Sequence, residues 1–201
     1  MRGPRLKKIR RLGTPLPGLT RKTTENTNPP GQHGGNPKRR KRSRYALQLD
    51  EKQKVRWHYG VSETQLRNAF RAASAEPGNT GENLLARLER RLDNVVFRLG
   101  FAPTIPAARQ LVGHGHVRVD GRRVDRPSYM VERGSSIDLS EKARRIPDVQ
   151  AAVERGPEVK LPQFLALDPG DKFSGKVIAQ PTRADVPLVL DETAIVEFYA
   201  R

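Results

Sequence analysis

TGENLLARLERRLDNVVFRLG, residues 80–100, is followed after Phe101-Ala102-Pro103 by TIPAARQLVGHG, residues 104–115, and then by HVRVDGRRV, residues 116–124. At about 100° per residue, Leu84, Leu85, Leu88, Leu92, Val95, Val96 and Leu99 share one sector of roughly 120°. That pattern predicts one amphipathic helix, capped by Thr80 and ended by Gly100. Arg87, Arg90, Arg91, Asn94 and Arg98 fall on one flank of the apolar sector, and Glu82, Glu89 and Asp93 fall on the other. A helix that is merely soluble mixes its signs, so the one-sided stripe is expected to face phosphates, with a plain solvated face as the bland alternative. The second segment predicts a shorter helix, capped by Thr104, with Pro106 in its first turn and Gly113 or Gly115 at its end. Ala108, Leu111 and Val112 are its apolar side, away from Arg109 and Gln110. In the third segment, Asp120-Gly121 between alternating residues predicts a hairpin, because both turn positions need positive φ. Val117 and Val119 then face a core, and His116 and Arg118 face outward.

Outward from this centre the pattern is helical on one side and mixed on the other. Asp50 is a candidate cap for a helix stopping at Gly60, and Ser62 with Gln65 is a capping box for the next. Leu66, Ala69, Phe70 and Ala73 lie on one face of that helix, and Glu76-Pro77-Gly78-Asn79 breaks it. Downstream, further strands are expected near Tyr129–Val131 and Ser136–Leu139, around an Arg133-Gly134 turn. A short helix is expected around Asp148–Glu154. Residues 140–190 carry no motif, and short apolar runs stand at Phe164–Leu167 and Lys176–Ile178. The closing run Thr193–Tyr199 is too apolar to dangle and is expected to dock on the N-terminal helices.

Charge narrows the class. The 201 residues carry a formal net charge of +16, unevenly distributed. Residues 1–44 hold 14 Lys or Arg and one acid, Glu25, whereas the remaining residues are nearly balanced. A basic arm before a balanced body points to a polyanionic partner, with nucleic acid ahead of anionic membrane. The arm is rich in Pro, Gly, Thr and Asn and is expected to lack a fold of its own until a partner orders it. It ends in the cluster Lys38, Arg39, Arg40, Lys41, Arg42 and Arg44. There is no cysteine, which excludes disulfides and thiolate metal sites. No apolar run approaches the roughly 18 residues that a membrane span needs. The N-terminus lacks the apolar stretch expected of a secretory signal, and its Arg-rich, acid-poor character leaves an organelle transit peptide as the alternative.

The residues now assembled carry a resemblance. Glu82-Asn83-Leu84-Leu85, Arg91 through Gly100, and Ala108-Arg109-Gln110-Leu111-Val112 with His114-Gly115-His116-Val117, Val119 and Gly121 resemble the RNA-binding module named after the small-subunit ribosomal protein S-four family. Pro30-Gly31-Gln32-His33-Gly34, the stretch from Tyr45 to Arg56, Tyr59-Gly60-Val61 and the ending Ile195-Val196-Glu197-Phe198-Tyr199 are similar to the ribosomal family itself. Gly3-Pro4-Arg5-Leu6-Lys7 and Leu19-Thr20-Arg21-Lys22 resemble its photosynthetic-bacterial or plastid branch.

The resemblance implies an α+β fold. A helical domain (45–90, completed by about 187–201) would hold an inserted RNA-binding domain (91–186) of two helices on a small antiparallel sheet, preceded by the arm 1–44. It implies a non-enzymatic constituent of the small ribosomal subunit, located in cytoplasm or plastid stroma. Such a protein binds a multi-helix junction of 16S ribosomal RNA early in assembly. It contacts ribosomal protein S-five, a contact tied to decoding accuracy, and it helps line the messenger-RNA entrance. Expected RNA contacts are Lys38, Arg39, Arg40, Lys41, Arg42, Arg44, Tyr45, Lys52, Lys54, Arg56, Arg87, Arg91, Asn94, Arg98, Arg109, Gln110, His114, His116 and Arg118. Trp57 is a second candidate for base stacking, with a core role as the alternative.

One family feature is missing. Many members hold zinc with four N-terminal cysteines, and this chain has none. His33, His58, His114 and His116 do not replace them, so no cofactor or metal is expected. Two other classes fit the sequence less well. An RNA-modifying enzyme or stress RNA binder with the same module would need a further domain, yet only about 60 residues follow the module, below typical domain size. No Gly-rich phosphate loop is present. A membrane-surface or chaperone-like basic protein ranks last, because the helices carry ordinary core stripes.

Overall fold

A computed structural model describes residues 4–22, 25–32 and 42–200. The chain divides into two compact units, one running up to Leu84 and resuming at Leu188, the other spanning Leu85–Pro187.

The first unit is helical. α1 (Arg5–Leu12) ends at Gly13 in the left-handed conformation, φ 63°. Part of the basic arm is thus helical. The stretch after it buries Leu16 and Leu19, and Lys8 and Arg11 sit over the Trp57 ring at 5.9 and 5.8 Å. Desolvation, then the charges of Arg56 and Arg5, lowers the Lys8 pKa. α2 (Arg44–His58) is capped by Ser43, whose side chain accepts from the Ala46 amide. Asp50 is therefore inside the helix, where it pairs with Arg42 at 2.8 Å, and is not its cap. α3 (Glu63–Ser74) starts at the expected Ser62–Gln65 capping box. α4 (Thr80–Glu89) is capped by Asn79, not Thr80: the Asn79 side chain accepts from the Gly81 amide at 2.8 Å.

The last helix of this unit, α9 (Glu192–Tyr199), packs on α2. Its docking is as much polar as apolar. Glu197 accepts from Arg44 and Gln48, the Asp191 amide donates to Glu51, and the Tyr199 hydroxyl donates to Glu63 at 3.0 Å. Phe70 and Tyr199 stack with ring centroids 4.8 Å apart. The closing run is thus held by directional partners, which a count of its apolar residues does not reveal.

The second unit is two helices on an antiparallel sheet. α5 (Leu92–Arg98) and α6 (Ile105–Gly113) pack together and bury Leu92, Val95, Val96, Ile105, Ala108 and Val112. Against them lie Val117, Val119, Ile137, Leu139 and Val177 of the sheet. The strands are β1 (Val117–Val119), β2 (Arg122–Val124), β3 (Ser136–Leu139), β4 (Leu165–Leu167) and β5 (Ser174–Val177), in spatial order β2-β1-β3-β5-β4. α7 (Glu141–Arg144) and α8 (Pro147–Arg155) connect β3 to β4. The hairpin between β1 and β2 turns at Asp120 and Gly121, with φ 50° and 77°, as its sequence requires.

Three expectations change here. Residues 80–100 are not one helix. Arg91 is extended at φ −66°, ψ 136°, and breaks the run into α4 and α5. The break follows from competition for backbone donors. The Leu92 and Asp93 amides donate to the Tyr129 and Pro127 carbonyls at 2.8 and 3.1 Å, and the Val131 amide donates to Arg90. Those bonds also occupy the first donors of α5 that would otherwise be orphaned. Second, Tyr129–Val131 is not a strand but a single bridge, Met130 to Arg91. Third, the motif-free stretch after residue 160 supplies two strands. Their short length and the Gly175 within β5 hide the period-two signal. A Cβ on Gly175 would meet Leu99 at 2.6 Å, so glycine is what lets the sheet approach α5.

Candidate nucleic-acid interface

Breaking the helix at Arg91 redistributes the charged residues that seemed to form a stripe. Glu89, Asp93, Asn94 and Arg98 are each at most 1% exposed, and Arg91 is 6% exposed. Arg98 reaches back across the break: its Nε and Nη2 donate to the Glu89 carboxylate at 3.1 and 2.8 Å. Asn94 donates to the same carboxylate at 2.7 Å, and Arg98 Nη2 also donates to the Asp185 carbonyl at 3.2 Å. Asp185 belongs to the 3₁₀ turn Arg183–Asp185, so Arg98 on α5 is bonded both to the Glu89 carboxylate of α4 and to that turn. Arg98 and Asn94 therefore do not form an outward basic face, and Glu89 is no solvated acid on the opposite flank.

Asp93 is a second buried centre. Arg91 donates to it through Nε and Nη2, and Arg109 donates to it from α6. The Asp93 carboxylate also accepts from the Asn94 amide at 3.0 Å. Arg91 is thus internal, while Arg109, half-buried, is held by Asp93 at the margin of the outer surface. Arg87 is half-buried on α4.

What does reach solvent is the end of the unit formed by α6 and the hairpin. Gln110 on α6 and His114, which caps its C-terminal end, are exposed four residues apart, and His116, just before β1, has its ring 6.1 Å from that of His114. Gly115 between them has φ 71°, and a Cβ there would collide with the Arg123 guanidinium at 2.1–2.4 Å. The Arg123 side chain thus lies over this turn. Arg118, Arg122 and Arg123 are all exposed. Arg118 and Arg123 are cross-strand partners, so two like charges stand directly opposite one another. Such a pair is unfavourable in isolation and is relieved by an anion between or above the two groups. On its other side Arg118 is paired in register with Asp138, whose carboxylate accepts from Ser174 at 2.6 Å. Arg122 and Arg123 were not singled out from sequence. The signal was present in the hairpin register, which puts residue 123 beside 118.

In the helical unit the expected residues are mostly tied inward. Lys52 is 5% exposed, donates to Glu63 at 3.0 Å and lies over the Phe198 ring at 4.4 Å. It is a clamp for α9 and is not presented to a partner. Lys54 pairs with Glu51, and Arg56 lies 3.8 Å from Glu63. Arg42 and Arg44 are exposed and paired with Asp50 and Glu197. The hydrogen bond that Arg44 donates to Glu197, then the charge of that carboxylate, raises the Arg44 pKa. Tyr45 is half-exposed, 5.8 Å from Phe198. Lys38, Arg39, Arg40 and Lys41 lie outside the described residues.

Glu63 is the electrostatic hub of this unit. Burial raises its carboxyl pKa, but the bonds from Lys52 and Tyr199 and the charges of Lys52 and Arg56 outweigh that, leaving it below the usual value. The same contact works the other way on Tyr199, whose pKa is raised by burial, by the Glu63 charge and by their bond. Among the described residues no cluster of three or more His, Asp or Glu could hold a metal ion, and the sequence offers no thiolate. Among the same residues no helix is long and apolar enough to cross a membrane.

Comparison with known proteins agrees with this layout. Residues 1–89 match the model of the ribosomal protein S4/S9 N-terminal domain, and residues 90–137 match that of the S4 domain. The chain is 49% identical over 200 residues to the small ribosomal subunit protein uS4 of Prochlorococcus marinus (strain MIT 9303), covering 100% of this chain and 97% of the relative. It is 50% identical over 202 residues to the protein of the same name from Synechococcus sp. (strain JA-3-3Ab), covering 99% and 97%.

Proposed function

This chain belongs to the uS4 family of small ribosomal subunit proteins, and on that premise we propose that it is a structural, non-enzymatic constituent of that subunit which binds 16S ribosomal RNA directly. The observation that carries the reading is the exposed Arg118–Arg123 cross-strand pair, with Arg122, Gln110, His114 and His116 around it. Cationic forks on a rigid sheet displace counterions from phosphates, while the amide and imidazoles offer donors and acceptors to 2′-hydroxyls and unpaired bases. Arg109, oriented by Asp93, borders the same surface.

The finer proposal follows the family. The RNA target is a multi-helix junction bound early in assembly. The cluster Lys38–Arg44 lies near the messenger-RNA entrance, and ribosomal protein S-five is a neighbour whose contact bears on decoding accuracy. The place of action is the ribosome, in the cytoplasm or in a plastid stroma. The test is co-sedimentation of the purified chain with small-subunit particles depleted of their own copy. Retention through moderate salt, with one copy per particle, is expected. Complete release at physiological salt contradicts the proposal.

A further inference from the structure

The helical unit has a recess that the proposed RNA surface does not use. It is a cavity of about 330 Å³ lined by Arg67, Phe70 and Arg71 of α3 and Phe198 and Tyr199 of α9. Its size lies at the small end of the range for ligand pockets, about 300–1,000 Å³.

Its walls are two kinds of group. Phe70 and Tyr199 stack with planes 30° apart, and Phe198 stands edge-on to Tyr199 at 89° and 5.5 Å. Phe198 is already covered by Lys52, so it serves as a side wall. Arg67 and Arg71 are exposed and one helical turn apart, and among the described residues neither has an acidic partner within 4 Å. Glu63, which accepts from the Tyr199 hydroxyl, is engaged by Lys52 and Arg56 as well, so its charge is already matched. Two arginines beside a stacked ring pair suit a ligand with one planar face and one anionic group.

We infer that this recess takes up one unpaired nucleotide of the bound RNA, with its base against the Phe70–Tyr199 wall and its phosphate at Arg67 and Arg71. An acidic peptide would engage the arginines but leave the rings without a planar partner. A base extends the stack and is sequence-tolerant, because every base has a π-face. The inference rests on the reading that the chain binds ribosomal RNA, and it adds a second contact on a different unit from the hairpin.

The test is equilibrium binding of the full chain to a 16S RNA fragment containing the multi-helix junction, as a function of salt. The proteins are wild type, Arg67→Ala with Arg71→Ala, Phe70→Leu and Phe70→Tyr, each checked by circular dichroism. The double arginine variant is expected to bind more weakly, with a log affinity versus log salt slope flatter by roughly 0.7–0.9 per lost contact. Phe70→Leu is expected to lose roughly tenfold in affinity at unchanged slope, and Phe70→Tyr to restore it. Cross-linking of a 4-thiouridine-substituted fragment to wild type should place an adduct on α3 or α9, a readout independent of variant folding.

If wild type does not bind the fragment, the RNA reading itself fails and the inference with it. If wild type binds and all variants match it in affinity and slope, the RNA reading stands and the recess is not a site. Loss on removing the arginines with Phe70→Leu unchanged means a phosphate contact without a base, and overturns the inference. So does binding of poly-glutamate that the arginine variant loses while its RNA affinity is intact.

Discussion

Arg98 and Arg118 carry the same side chain in the same compact unit, yet one is an interior strut and the other stands in solvent. Arg98 is 1% exposed and grips Glu89 through two nitrogens. Arg118 is exposed and faces a second cation across the hairpin. Residue type does not separate these roles. What separates them is local backbone: a break at Arg91 folds one set of charges inward, and a two-residue turn at Asp120-Gly121 holds the other set out. A charged flank on a helical wheel is evidence of a binding face only if the helix is continuous.

The comparison is broken most directly at the buried pair. Arg98→Ala leaves the Glu89 carboxylate buried without its charge partner, and removing one member of such a pair costs about 3–5 kcal/mol. Urea unfolding should read that loss, and Glu89→Ala should produce one of similar size. Joint replacement, Glu89→Leu with Arg98→Met, should cost less than either single change, because no charge is then stranded. A loss below about 1 kcal/mol for Arg98→Ala, within the range of exposed pairs, would move Arg98 back to the surface class.

Asp93 sharpens the contrast, because it touches both classes: Arg91 inside and Arg109 at the margin. Asp93→Asn keeps the shape but removes the charge. A stability loss of about 1–3 kcal/mol is expected, together with weaker RNA binding through a less well-held Arg109. Unchanged stability and unchanged binding would both count against its bridging role.

A smaller effect belongs to the helical unit. The Glu63 carboxyl lies below its ordinary 4.5 in the folded chain. Its contribution is therefore present above that value and fades as pH falls through the folded value. Denaturant midpoints should drop on acidification below about pH 4.5, and Glu63→Gln should flatten that part of the profile. A wild-type profile identical to that of Glu63→Gln between about pH 6 and pH 3 would show that the clamp on α9 does not depend on this charge.

Much of the fold was legible because it rests on local chemistry. The Ser62–Gln65 box, the Thr104 cap with Pro106, and the Asp120-Gly121 turn are short-range signals, and each formed as read. The break at Arg91 was not legible, because its cause is the segment Pro127–Tyr129, whose carbonyls take the Leu92 and Asp93 amides from more than thirty residues away. Strands β4 and β5 were missed for a related reason. Three or four residues carry little periodicity, and their pairing with β3 is what makes them strands. On the candidate interface, the outward side of α6 followed from its helical period and that of β1 from alternation. The burial of Lys52, Asn94 and Arg98 did not, since a charged or amide side chain reads as exposed until its partner across the fold is known.

The most direct test of the account is a salt titration of binding to the 16S junction fragment for wild type, Arg118→Ala, Arg122→Ala and Glu82→Ala, all confirmed folded. Glu82 is an exposed acid on α4, not a residue of the hairpin, and serves as the control. The account predicts slopes flatter by roughly 0.7–0.9 for each hairpin variant, and a wild-type slope for Glu82→Ala. Equal slopes and affinities for all four proteins would contradict it, leaving the hairpin arginines a solvated face and placing the RNA elsewhere.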